Sequence, residues 1–302
     1  MNGFTRREAL AAGFGWTGIA AAGKPAMKIG CGTVSFRKST LEEAMRRIAR
    51  AGYAYVEPQA TGPFCPHVDV WKDDPLRFQR LVREHGFQGA SALWAPNGAI
   101  LKDPKSVAGV SQAIEWAGVA GIPVVNAGDG TKPKQMSDDD ALKLLGERLE
   151  KILEAAARRR VYLAIEPHGT FSLTAAGLKK ILALSESPWL GVNYDTANVR
   201  RATYVETADG AYSWTPYGER QDEVATLRAV AGRVVHVHVK DIAGANCVAL
   251  GQGIVNLRGC IDVLSRRGYD GVLSLETEGE FDADVAQRLI ETSFAYLKRA
   301  IS

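Results

Sequence analysis

From Met27 onward the chain repeats one pattern eight times: a short apolar run, then a longer stretch of helical periodicity. The short runs are Met27–Thr33, Tyr53–Glu57, Phe87–Leu93, Ile122–Ala127, Val161–Glu166, Leu190–Asp195, Arg233–Lys240 and Gly271–Glu276. Runs of this length, rich in β-branched and aromatic residues and stopped by glycine, proline or an acid, read as buried strands. The longer stretches carry helix-start signals. Ser39 or Thr40 precedes Glu42 and Glu43, Pro104 follows Asp103, and Ser137 precedes Asp138–Asp140. Such residues cap free N–H groups and complement the helix dipole. Helices are therefore expected over Thr40–Ala51, Asp74–His85, Asp103–Ala120, Ser137–Arg160, Leu173–Ser187, Arg220–Val230, Leu257–Arg267 and Asp282–Arg299. Eight strand–helix units in succession predict an α/β fold, a single (β/α)8 TIM barrel over residues 27–302. A doubly wound open sheet is the alternative. It is disfavoured because no strand leads into a glycine-rich dinucleotide turn.

In a barrel of this kind the working residues stand at the carboxyl ends of the strands. Here those ends carry Glu57, Glu166, Asp195, His238 with Lys240, and Glu276. Packing alone does not account for an acid at four strand ends, because each is a partly buried charge that needs a partner. The seventh run reads VVHVHVKD and holds two of the five histidines. Residues i and i+2 of a strand share a face, so His236 and His238 both point inward, with His238 nearer the catalytic end. His236, one pleat deeper, is expected to pack or to support its neighbour. Three carboxylates and one imidazole at a barrel mouth describe a divalent-cation site. Oxygen-rich ligation with one histidine suits Mn²⁺ best, with Mg²⁺, Co²⁺ or Zn²⁺ as alternatives. Lys240 is expected to neutralise an oxyanion or bind a substrate hydroxyl, or else to pair with Asp241 or another acid. The aromatic segment Tyr204–Tyr217 is expected to form a lid or a partner contact.

Other functions are disfavoured. The net charge is only +3 and the basic residues form no stripe with interleaved aromatics, so nucleic acid is not the expected partner. Cys31, Cys65, Cys247 and Cys260 show no CxxC spacing. Near the start, Arg6-Arg7 precedes an uncharged, Gly/Ala-rich stretch reaching Gly23. A basic pair, a weak apolar region and small residues describe an export signal of the twin-arginine type over residues 1–26. The expected location is then periplasmic or otherwise exported, and the alternative is cytoplasmic. That stretch is too short for stable membrane insertion. A homo-oligomer is compatible with the sequence.

Five motifs occur in a telling order: AIEPH (Ala164–His168), NYDT (Asn193–Thr196), HVHVKD (His236–Asp241), LGQG (Leu250–Gly253) and GYDGVLSLE (Gly268–Glu276). Together they resemble the xylose isomerase-like TIM-barrel superfamily, and more narrowly its sugar isomerase/epimerase branch with the ketose 3-epimerases. The resemblance implies that Glu166, Asp195, His238 and Glu276 hold a metal, and that Glu166 and Glu276 also transfer protons on opposite faces of a small-molecule carbohydrate. It implies substrate contacts from His168, Asn198, Lys240 and Glu57. Two positions depart from the branch. Asn198 stands where a histidine usually binds substrate, and Gln252 where glutamate is frequent. Asn198 can hydrogen-bond a hydroxyl but cannot shuttle protons at neutral pH. The expected function is a metal-dependent sugar isomerase/epimerase acting by proton abstraction α to a carbonyl through an enediolate. The alternative is a 3-keto-glycoside lyase with His168 as base. A non-catalytic carbohydrate-binding barrel is disfavoured by the complete ligand set, and a three-zinc endonuclease barrel by the shortage of histidines.

Overall fold

A computed structural model describes residues 26–206, 213–244 and 246–302. The expected export signal, apart from Ala26, lies outside the described residues, as does the centre of the aromatic segment.

Among the described residues, eight barrel strands alternate with eight longer helices around one core, and a four-residue helix (Asn198–Arg201) follows the sixth strand. The strands are β1 (Lys28–Gly32), β2 (Tyr55–Glu57), β3 in two runs (Gly89–Ala90 and Leu93–Ala99), β4 (Val124–Gly130), β5 (Tyr162–Gly169), β6 (Leu190–Asp195), β7 (Val234–Val239) and β8 (Val272–Leu275). All pairings between them are parallel, in the order β3–β2–β1–β8–β7–β6–β5–β4–β3. The sheet closes through β3. Its first run pairs with β2 at Tyr55↔Gly89, and its second with β4 at Leu93↔Val125. The fold is the expected (β/α)8 barrel.

The helices are α1 (Leu41–Arg50), α2 (Pro75–Glu84), α3 (Ser106–Ala120), α4 (Asp138–Arg159), α5 (Ala175–Leu182), α6 (Glu223–Val230), α7 (Leu257–Arg266) and α8 (Ala283–Ile301). Their starts follow the sequence signals. The Thr40 side chain accepts from Glu43 N, Asp74 from Leu76 N, Ser137 from Asp140 N and Asp282 from Asp284 N. Each bond satisfies a donor that the first helical turn leaves free. No described helix is long and apolar enough to cross a membrane.

Several boundaries differ from expectation: β4 runs to Gly130 rather than Ala127, α5 ends at Leu182 rather than Ser187, and α6 begins at Glu223 rather than Arg220. β3 continues to Ala99, past Pro96 and Gly98, with a register irregularity between Trp94 and Ala99 that absorbs them. β5 runs through Pro167 to Gly169, with Gly130 opposite Gly169. The third helix begins at Ser106, because the Asp103 carboxylate accepts from Lys105 N in a turn that precedes it. Within the aromatic segment, Thr203–Glu206 pairs antiparallel with Ser213–Pro216.

Candidate metal centre and active site

β5, β6, β7 and the chain just past β8 deliver Glu166, Asp195, His238 and Glu276 to one place. All four are buried, and one ligand-type atom from each lies within 4.8 Å of the others. Register explains the meeting. His238 is level with Asp195 on β6 and with Ser274 on β8, so Glu276 stands one pleat higher, at the barrel mouth. The imidazole sits among the acids: His238 Nδ1 is 2.9 Å from Glu166 Oε2 and 3.3 Å from Glu276 Oε2.

Lys240, fully buried, enters the same cluster. Its ammonium is 2.7 Å from Glu276 Oε2, 3.0 Å from Asp195 Oδ2 and 3.1 Å from Glu278 Oε2. It does not engage Asp241. That carboxylate instead accepts from the backbone N–H groups of Ile242, Gly251, Gly253 and Val255 and so folds the LGQG loop around itself. The glycines of the loop are required there. Gly251 has φ +85°, and a Cβ on Gly253 would collide with Asp241 Oδ1 and the Ile242 carbonyl.

The charges perturb one another strongly. Burial pushes the Glu166 carboxyl up to about 8; His238 opposes the rise, and the Glu276 and Asp195 charges add to it. Burial acts to raise Glu276 too, but His238 and Lys240 together hold it well below the usual carboxylate range. His238 stays protonated against its own desolvation because Glu276, Glu57 and Glu166 surround it. His236 has no such surroundings, and burial lowers it to about 4.

The donor set fits a divalent ion. Glu57, Glu166, Asp195 and Glu276 are each at most 2% exposed and converge on Lys240 and His238, a set of buried carboxylate oxygens that a divalent ion would help to neutralise. Asp195 Oδ2 and Glu276 Oε2 also receive no well-directed hydrogen bond, although the Lys240 ammonium is close to both. Buried acceptors left in this way are open to a water or an ion.

The remaining expected site residues fall around this centre. Asn198 donates from Nδ2 to Glu166 Oε1 at 3.0 Å, and its Oδ1 lies 3.4 Å from Lys240 Nζ, so it braces two charged groups of the cluster. Glu57 is 1% exposed, and its Oε1 accepts from His238 Nε2 at 2.8 Å. His168 is half-buried, edge-on to the Trp94 ring, and its backbone N–H is held by Ser172 Oγ.

Two site residues escaped the sequence reading. Asn193 donates from Nδ2 to Glu166 Oε2 at 2.7 Å and accepts from His236 Nδ1 at 2.9 Å. Asn126 donates to Glu57 Oε1 at 2.8 Å. The signal was available for Asn193. It precedes Asp195 by two residues, as His236 precedes His238, and so shares its face.

A family model described as xylose isomerase-like TIM barrel matches residues 45–300. L-ribulose-5-phosphate 3-epimerase UlaE of Shigella flexneri serotype 5b (strain 8401) is 25% identical over 186 residues, which are 60% of this chain and 58% of that protein. Among solved structures, 3-keto-D-glucoside 4-epimerase YcjR from E. coli superposes with a TM-score of 0.71 at 15% identity, over 90% of this chain and 99% of that one. The IOLI protein with a bound zinc atom superposes at 0.70 and 15% identity, over 91% and 98%. At these identities the structural likenesses are likenesses of fold.

Proposed function

Because the chain belongs to the xylose isomerase-like TIM barrel family, we propose that it is a divalent-metal-dependent sugar isomerase or epimerase that removes a proton next to a carbonyl. The observation that carries the reading is the convergence of Glu166, Asp195, His238 and Glu276, with unsatisfied carboxylate oxygens among them. The names of the relatives, a ribulose-phosphate 3-epimerase and a keto-glucoside 4-epimerase, support a carbohydrate substrate. Mn²⁺ is the proposed ion on the donor chemistry; the zinc of the IOLI protein keeps Zn²⁺ in view.

The residues divide the work. Glu166, Asp195, His238 and Glu276 would hold the ion. When bound, it would polarise the substrate carbonyl and stabilise the negative charge that develops on that oxygen. Glu166 and Glu276 approach from β5 and β8, and we assign them the proton transfers: one carboxylate takes the proton α to the carbonyl and the other returns one on the opposite face. Lys240 keeps its proton and places a positive charge beside the developing oxyanion. Asn193 and Asn198 hold the two oxygens of Glu166, which fixes the direction in which that carboxylate can reach. His168, half-buried and edge-on to the Trp94 ring, would offer a hydrogen-bonding contact to a sugar hydroxyl.

A panel of keto-sugars, free and phosphorylated, incubated with Mn²⁺ in D₂O tests the proposal. Deuterium entering the carbon next to the carbonyl, with a new epimer on the chromatogram, is the expected result. Release of an aglycone from a 3-keto-glycoside would instead make the enzyme a lyase. Failure of protein purified without chelator to bind any divalent ion would end the metal reading. We also propose, from Arg6-Arg7 alone, that the folded barrel is exported; loss of export on replacing both arginines by lysine is the check.

A further inference from the structure

His238 offers two nitrogens to its surroundings, and something must decide which of them faces the acids. Nδ1 points at Glu166 and Glu276, at 2.9 and 3.3 Å, while Nε2 points the other way, to Glu57 Oε1 at 2.8 Å. Glu57 ends β2, on the far side of the imidazole from Glu166. Asn126 on β4 donates to the same Oε1 at 2.8 Å, while Oε2 receives no well-directed hydrogen bond and lies 3.6 Å from His236 Nε2. A chain of contacts runs from Asn126 through Glu57, His238 and Glu166 to Asn193 and His236.

We propose that Glu57 is the positioning residue of the metal centre: it holds the Nε2 proton of His238 and thereby presents Nδ1 to Glu166, Asp195 and Glu276. The proposal rests on the metal reading above and goes beyond it, because the ligand set by itself says nothing about how the imidazole is oriented. An imidazole coordinates through the lone pair of one nitrogen, so its proton must reside on the other. A carboxylate accepting that proton locks the ring plane, selects the tautomer and makes the ligating nitrogen more electron-rich. A buried carboxylate is costly to keep, and the tetrad Asn126–Glu57–His238–Glu166 gives that cost a purpose that packing does not. Ile or Leu would fill the same volume without a charge.

The test is divalent-ion affinity, measured on the full chain by competition with a chromogenic chelator, for wild type, Glu57→Gln and Glu57→Ala. Circular dichroism and melting of each metal-free protein report whether it folds. Gln keeps the shape and one acceptor oxygen but loses the charge; Ala removes the contact. Weakening by roughly 10-fold for Gln and up to about 100-fold for Ala is expected, the range found for lost partners of metal-bound histidines. Wild-type affinity in both folded variants would overturn the role of Glu57 while leaving the metal centre intact. If Glu57→Ala does not fold, Glu57→Gln decides alone. Nitrogen-15 spectra of the zinc-loaded wild type give a second reading: Nδ1 of His238 should be the metal-bound nitrogen and Nε2 the protonated one, and the reverse would also overturn the proposal. A wild type that takes up no ion would bring down the metal centre itself, and this role with it.

Discussion

Two kinds of buried aspartate and glutamate stand at the carboxyl ends of this barrel. Asp129, in the last turn of β4, and Asp241, just past β7, commit their oxygens to backbone. Asp129 accepts from the Phe171 and Ser172 N–H groups and the Ser172 hydroxyl, and Asp241 from four N–H groups of the loop that follows it. Asp195 and Glu276 are as deeply buried, but each keeps an oxygen that no well-directed donor reaches. Asp195 shows both behaviours in one side chain: Oδ1 accepts from the N–H groups of Ala197 and Asn198, and Oδ2 is left for the cluster. Residue type, burial and place in the fold are therefore the same in the two groups. What separates these two pairs is the accepting capacity that the backbone leaves over.

The largest expected effect breaks or secures this distinction. Glu276→Gln and Glu166→Gln should each lower turnover of the true substrate by about 10²- to 10⁴-fold, the usual range for a lost proton carrier, with melting little changed. Asp241→Asn should do the opposite, lowering stability while the divalent-ion affinity of the folded fraction stays near wild type. Steady-state kinetics beside thermal melts read both. Divalent-ion affinity lost in Asp241→Asn with the fold intact would place Asp241 with the ligands.

A smaller effect tests the structural half. Removing the Asp241 carboxylate as alanine leaves four loop N–H groups without their acceptor, a cost of about 3 kcal/mol by urea unfolding. Gly253→Ala should reproduce part of it, about 2 kcal/mol, because the added methyl group pushes against the same oxygen from outside. If the double variant lost the full sum of the two, the glycine and the carboxylate would not be acting on one loop.

How much of this was legible in advance follows from the same physics. LGVNYD is uninterrupted and fully buried, and its limits were read to the residue. The run after Phe87 was not, because Pro96, Asn97 and Gly98 are turn residues by local preference and only pairing with β4 holds them in a strand. Ligand candidates were legible because acids ending apolar runs are anomalous on their face. Asn126 and Asn193 were less visible because a neutral amide inside a strand raises no charge problem. Glu57 was expected at the substrate from its place at a strand end, and the structure brings its Oε1 to His238 Nε2. The stagger between strands that decides such a meeting is a property of barrel closure, and no single strand encodes it.

The smallest expected effect concerns Asp129 and has a definite sign. Burial lifts its carboxyl from an ordinary 3.8 to about 6, and the groups that lower it, the Ser172 hydroxyl and the N–H groups of Phe171 and Ser172, do not fully compensate. A carboxyl raised in the folded state contributes stability that is complete below about pH 3.8 and is lost as pH rises through 6. Asparagine never ionises, so Asp129→Asn escapes that loss. Its carbonyl oxygen can still accept from the two N–H groups, while its amide can donate to the Ser172 hydroxyl. Relative to wild type, the variant should therefore gain on the order of 2 kcal/mol between pH 4 and pH 7, since each tenfold change in proton affinity between the folded and unfolded chain is worth about 1.4 kcal/mol. Every other ionisable group is common to both proteins and cancels in the difference. Urea unfolding of the pair at several pH values measures it. A difference that stays constant across that range would show that the loop donors satisfy Asp129 as fully as water does, and the two kinds of carboxylate would then differ in electrostatics as well as in hydrogen bonding.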